Sequence, residues 1–132
     1  MYKVLLVDDE ILVREAIGAK IEWEQLGFEL VGDCENGKAA IEFLKETQVD
    51  VVLTDICMPY IDGMGLSKYI YENLPQTTTI IFSGYSDFEY AKQAIRFKVS
   101  EYILKPINAS ELTAVLQKLK AVSYTHLRAH ET

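Results

Sequence analysis

Basic residues are in short supply: 13 Lys and Arg stand against 20 Asp and Glu, for a formal net charge of -7 and a pI of about 4.8. A chain of that sign repels phosphate backbones, which argues against nucleic acid as a direct partner. Cysteine is nearly absent. Cys34 and Cys57 make no C-x-x-C spacing and suit a reducing cytosol. No apolar run approaches the ~20 residues needed to cross a bilayer, and the N-terminus carries no signal-peptide pattern. The expected setting is therefore cytoplasmic, with no membrane partner. Internal repeats and low-complexity segments are missing as well.

What is present is ordinary for one globular domain. The chain has 132 residues, 49% hydrophobic and 25% charged, enough to bury a core without disulfides or metal. Its organising stretch is Val49 to Gly63, V-D-V-V-L-T-D-I-C-M-P-Y-I-D-G. A short β-branched run bounded by turn residues has the pattern of a strand buried on both faces. Pro59 and Gly63 stop it and open a loop. Asp55 then falls at the carboxyl end of a central parallel strand, the edge where open α/β sheets place their chemistry. Taken alone, such an acid can equally cap the loop.

The remaining chain alternates strand and helix about five times. Tyr2–Val7 predicts a strand running into Asp8-Asp9-Glu10, and Ile11–Trp23 predicts one helix ending before Gly27. Phe28–Cys34 predicts a strand closed by an Asn36-Gly37 turn, and Lys38–Thr47 an amphipathic helix. After the central strand, Leu66, Ile70 and Leu74 mark a helix stopped by Pro75. Thr77–Ser83 predicts a strand, and Phe88–Phe97 a helix with Ser86 or Asp87 as N-cap. Glu101–Leu104 predicts a short strand, followed by a helix from Asn108 or Ser110 with Leu112, Val115, Leu116 and Leu119 on one face. The expected fold is α/β, a parallel sheet covered on both faces with right-handed crossovers.

Asp8 and Asp9, Asp55, Ser83 and Lys105 all follow predicted strands and so converge on one sheet edge. Clustered carboxylates repel one another unless a hard cation intervenes. Mg²⁺ takes oxygen ligands at about 2.0–2.1 Å and keeps several waters, so two carboxylates and a backbone carbonyl suffice. A carboxylate beside such a metal can attack a phosphoryl group, with metal and lysine neutralising the transferred oxygens. A hydroxyl on the fourth strand can then hydrogen-bond the new phosphoryl.

Asp8-Asp9, D-I-C-M-P with Asp55, Ser83-Gly84, Tyr102 and Lys105-Pro106 together resemble a response-regulator receiver domain of two-component signalling, over residues 2 to 121. The resemblance implies a flavodoxin-like doubly wound (βα)5 sheet of strand order 2-1-3-4-5. It implies Asp55 as phosphoacceptor and Mg²⁺ held by Asp9, Asp55 and the Cys57 backbone carbonyl, with Asp8 holding a metal-bound water. Ser83 and Lys105 would bind the phosphoryl group, Tyr102 would act with Ser83 as the switch, and the Lys105-Pro106 peptide would be cis. Cys57 would matter through its backbone rather than its thiol. No motif position departs from the pattern, since Ser83 keeps the hydroxyl of the commoner Thr. The implied partners are a sensor histidine kinase, a C-terminal output domain and a phosphorylation-dependent homodimer. The segment G-Y-S-D-F-E-Y-A-K-Q-A-I resembles receivers joined to AraC-type DNA-binding domains. The domain is expected to self-catalyse phosphorylation and dephosphorylation at Asp55 without being an enzyme in its own right.

Three rival readings are weighed against this one. A stand-alone receiver would act by protein contact alone. A haloacid-dehalogenase-like phosphatase also uses a strand-end Asp, but needs an acid two residues later, where Cys57 stands. A flavodoxin-like cofactor binder needs a glycine-rich phosphate loop after the first strand, where this chain is acidic. The last residues, V-S-Y-T-H-L-R-A-H-E-T from Val122, do not extend the helical pattern and read as the translation of a transposon adapter. The expectation is a receiver over 1–121, an adapter-derived tail over 122–132 carrying His126 and His130, and a native gene that continues beyond Ala121.

Overall fold

The computed structural model describes the backbone of residues 1–131, and their side chains apart from Tyr85, Ala94 and residues 122–131. Strands β1 (Tyr2–Val7), β2 (Phe28–Cys34), β3 (Val51–Asp55), β4 (Thr78–Ser83) and β5 (Glu101–Leu104) form one sheet in the order β2-β1-β3-β4-β5. Every pairing is parallel. A parallel sheet covered on both faces is what the alternation of strands and helices predicts, and its order is the 2-1-3-4-5 that the receiver resemblance implies.

The period of two along each strand sorts the core into two layers. Val4, Leu6, Val51, Leu53, Ile80 and Phe82 face α1 (Ile11–Lys20) and α6 (Ala109–Glu131), meeting Ile17, Leu112 and Leu116. Leu5, Val7 and Val52 face α3 (Gly37–Glu46) and α4 (Gly63–Asn73), meeting Ala40, Leu44, Leu66 and Ile70. β3 is buried along its whole length, which is why it reads as a continuous apolar run. A smaller cluster of Ile56, Ile81, Ala91 and Val99 lies under α5 (Phe88–Lys92).

Several elements depart from their sequence pattern. The expected helix Ile11–Trp23 breaks at Ile21, which is extended, and resumes as α2 (Trp23–Leu26). Ile21 and Trp23 both enter the α1-side core, and residues two apart cannot share one face of a continuous helix. The Trp23 indole N–H then donates to the Gly18 carbonyl at 3.1 Å. Asn36 does not merely turn the chain: its Oδ1 accepts from the Ala39 N–H and caps α3. The expected helix Phe88–Phe97 is α5 followed by a 3-10 segment, Gln93–Phe97, closed by Lys98 in the left-handed region. Asp87 occupies the N-cap position of α5 without making a side-chain cap bond. At α6 the choice falls on Asn108, whose Oδ1 accepts from Ser110 and Glu111. The α6 backbone runs on to Glu131, past the point where the apolar pattern stops. His126, His130 and the other side chains of the tail lie outside the described residues.

The loop after β3 is clamped by two close backbone approaches. The Gly63 N–H donates to Ile56 O at 2.9 Å and the Gly37 N–H to Ile61 O at 2.8 Å. A Cβ on Gly63 would overlap the Asp55 carbonyl oxygen, and one on Gly37 the Ile61 carbonyl. Glycine is required here for proximity. Gly63→Ala is expected to lower stability by about 2 kcal/mol, the usual effect of overpacking a filled site. Gly84→Ala, whose Cβ meets nothing within 4 Å, should change it little. Guanidinium midpoints of the two variants check the contrast.

Candidate functional site

Register delivers the site. Val7 pairs with Thr54, Asp55 with Phe82, and Ser83 with Leu104, so Asp8, Asp55, Ser83 and Lys105 lie along one sheet edge. The Lys105 stem reaches back past β4, with Nζ 5.5 Å from the Phe82 ring centroid. Its ammonium stands 3.2 Å from Asp8 Oδ2 and 3.2 Å from Asp55 Oδ2. One cation thus serves two carboxylates, of which Asp8 is fully buried and Asp55 only 5% exposed.

That ratio decides the electrostatics. Burial raises the pKa of Asp8, opposed by the Glu10 N–H at 2.8 Å from Oδ1 and by Lys105. Burial also raises that of Asp55, with Lys105 opposing and Asp8 reinforcing the shift. For Lys105, burial works against the charge, but the attraction of Asp55 and Asp8 prevails and its pKa is raised. Lys105 keeps its proton, and the carboxylates remain one positive charge short. Asp8 Oδ2 has the ammonium near it but, among the described residues, no donor in hydrogen-bond geometry. We read the contact as an ion pair that leaves this oxygen's lone pairs undirected.

The acidic neighbours extend outward from there. Ligand atoms of Asp8, Asp9 and Glu10 lie within 4.8 Å of one another, with Asp9 and Glu10 exposed. Glu10 is not among the residues that the sequence reading assigns to a metal. Oxygen donors, an unsatisfied buried carboxylate and a shortfall of positive charge fit a hard divalent cation.

The other expected residues have the following places. Ser83 is buried at the end of β4, and its carbonyl accepts from the Lys105 N–H at 2.8 Å, tying the ends of β4 and β5 together. The Lys105-Pro106 peptide is cis. Tyr102 packs half-buried against the α5-side cluster, and its hydroxyl is buried without a hydrogen-bond partner among the described residues. Cys57 is exposed; partial burial and the carboxylates of Asp87, Asp55 and Asp62 push its thiol pKa up, which disfavours thiolate chemistry.

Three features escape sequence reasoning. Arg14 donates through Nη1 to the Asp8 carbonyl at 2.6 Å and through Nε to Asp33 Oδ2 at 2.8 Å. A helical Arg ordinarily signals a solvated face, and nothing in the pattern distinguishes this one. Asp62 caps α4 through Oδ1 and accepts from the Tyr90 hydroxyl through Oδ2 at 3.3 Å; the D-G pair at its start was the available signal. Tyr60 takes φ 65 in the loop, a conformation that bulky residues seldom adopt.

Removing one of the two carboxylates should relieve the charge shortfall. Asp55→Asn is expected to raise the stability of the metal-free protein by about 1 kcal/mol at neutral pH. The sign follows from linkage: an acid whose folded pKa is raised binds its proton better in the folded state, so the parent loses stability as pH rises from about 3.9 through the raised value. The Asn variant lacks that loss, so its advantage should shrink towards zero in acid. Denaturant unfolding of both proteins between pH 3 and 8 checks this.

The family description "Response regulator receiver domain" matches residues 4–117. The chain is 40% identical over 121 residues to the transcriptional regulatory protein YesN of Bacillus subtilis, covering 92% of this chain and 33% of that protein. It is 35% identical over 119 residues to the transcriptional regulatory protein HptR of Staphylococcus aureus, covering 90% of this chain and 46% of that protein. It therefore spans a third to just under half the length of these curated relatives. The REC domain of AraT, a response regulator from Geobacillus stearothermophilus, superposes with a TM-score of 0.91 at 39% identity, covering 96% of this chain and 98% of that one. A two component transcriptional regulator AraC from Clostridium phytofermentans does so with a TM-score of 0.87 at 36% identity and the same coverage. By motif, fold and relatives alike, this chain belongs to the response regulator receiver domain family.

Proposed function

We propose that the receiver works as a phosphorylation-controlled switch in which Asp55 accepts a phosphoryl group from a sensor histidine kinase. The observation that carries this reading is the Lys105 ammonium shared between Asp55 and Asp8 at 3.2 Å each. A strand-end carboxylate beside a retained positive charge and a further acid is equipped to attack an electrophilic phosphorus. An Asp55 oxygen forms the new O–P bond as the donor's P–N bond breaks; the P–N electron pair stays on the imidazole nitrogen, and a proton carried on the ring's other nitrogen leaves the imidazole neutral. Attack of water on the same phosphorus later frees phosphate and restores Asp55.

Asp9, Asp55 and the Cys57 backbone carbonyl would hold Mg²⁺, with Asp8 acting through a bound water. The ion, when bound, supplies positive charge to the transferred oxygens. Lys105 releases Asp8 and Asp55 to pair with those oxygens, and the Ser83 hydroxyl hydrogen-bonds them. Because the Lys105 N–H is bonded to the Ser83 carbonyl, both responses pull on one joined pair of strand ends. Tyr102, whose buried hydroxyl finds no partner among the described residues, loses no polar contact to them when it changes rotamer. The face made by α5, β5 and α6 then repacks and carries homodimerisation.

The donor kinase must seat itself at the edge that holds Asp55. An apolar groove of about 450 Å³ opens there between α1 and the β5–α6 connection, lined by Leu12, Val13, Ile107 and Leu112 and sharing Glu10 and Lys105 with the acidic site. In this reading the protein is cytoplasmic and its working unit is residues 1–121. Its output domain is of AraC type and binds DNA; the transcriptional regulators it resembles are two to three times its length.

Acetyl phosphate with Mg²⁺ should add one phosphoryl group, located at Asp55 by peptide mass mapping. Chelating the metal should abolish uptake, and Asp55→Asn should not be labelled. Uptake by Asp55→Asn at the parent rate would exclude Asp55 as the acceptor.

A further inference from the structure

The Asp8 peptide is held on both sides. Its N–H donates to the Cys34 carbonyl at 3.1 Å, and its carbonyl accepts from Arg14 Nη1 at 2.6 Å. The same guanidinium engages Asp33 Oδ2 through Nε at 2.8 Å. The Arg14 side chain is only 12% exposed and that of Asp33 53%. Arg14 therefore belongs to the packed end of β1 and β2. A planar guanidinium with donors in fixed directions can satisfy a carbonyl and a carboxylate at once, which a lysine ammonium on a flexible stem does not reproduce.

We propose that Arg14 is a positioning residue for the cation site. A peptide is planar, so holding the Asp8 carbonyl restricts rotation of the Asp8–Asp9 peptide plane and thereby the position of the Asp9 Cα from which its carboxylate departs. The inference rests on the proposed cation role of Asp8 and Asp9. Two effects of Arg14 could reach a bound cation, orientation and charge repulsion. Asp33 balances the guanidinium charge in direct contact, so orientation is the larger of the two. Groups that orient metal ligands from behind typically alter affinity by about 10–100-fold when lost.

The test is Mg²⁺ affinity, measured by isothermal titration on the full 132-residue chain well below each variant's melting temperature. Metal-free melting and far-UV circular dichroism are recorded alongside. Arg14→Gln should weaken Mg²⁺ binding about 10-fold or more while remaining folded at the titration temperature, and Arg14→Lys should not restore it. Asp33→Asn keeps the bond to Asp8 but unbalances the charge, and should weaken binding less than Arg14→Gln. Asp9→Ala serves as the control for the underlying reading. A parent that binds no Mg²⁺, or whose binding is untouched by Asp9→Ala, overturns the cation site and this inference with it. If binding depends on Asp9 yet Arg14→Gln binds within twofold of the parent, the positioning role alone fails. A larger loss in Asp33→Asn than in Arg14→Gln would overturn orientation in favour of charge. Should Arg14→Gln not fold, Arg14→Lys carries the same comparison.

Discussion

One ammonium group between two buried carboxylates sets the terms for the rest of this molecule. Lys105 pairs with Asp8 and Asp55 at equal distance, yet a single charge leaves the two carboxylates short of neutral. Such a cluster is unstable towards anything that adds positive charge or removes negative charge. Protons and divalent cations are both ways of relieving it. The site is therefore held in a state whose electrostatics favour change, and Lys105 is the element with two alternative partners.

The fold keeps that cluster in place by backbone rather than by side chains. Parallel register brings the ends of β1, β3, β4 and β5 level. Hydrogen bonds from Asp8 to Cys34, Ile56 to Phe82 and Lys105 to Ser83 extend the ladder beyond the strands themselves. Gly37 and Gly63 let the loop after β3 close against the sheet. Tyr102 has a buried hydroxyl without a partner among the described residues, and the segment beyond Ser83 is built from short helical pieces rather than one regular helix. Rigid acids beside an irregular, less satisfied segment are what a two-state device needs.

Much of this was legible in the sequence because periodicity and strand-end chemistry are local signals. The buried runs of β1 and β3, the period-3.6 face of α6 and the acids following Val7 and Thr54 announced the parallel sheet and its functional edge, while the strand order came from the family resemblance of the motifs. What failed to read was set by tertiary contact. Ile21 is extended because it and Trp23 share a core, a fact absent from the local helical pattern. Arg14 reads as a solvated charge until Asp8 and Asp33 are brought to it by the β1–β2 pairing. The 3-10 character of Gln93–Phe97 has no distinguishing residue type, and the continuation of α6 beyond Ala121 has no apolar stripe to announce it.

The central claim is that Asp8 and Asp55 form a charge-deficient pair that a divalent cation completes. Carboxyl carbon NMR titration of the protein, labelled at aspartate, addresses it directly. Without metal, the pair should titrate above the ordinary carboxylate range of about 3.9, as coupled macroscopic steps. With saturating Mg²⁺ the same resonances should titrate lower. Titration of both groups at or below the ordinary value, unmoved by Mg²⁺, would contradict the account.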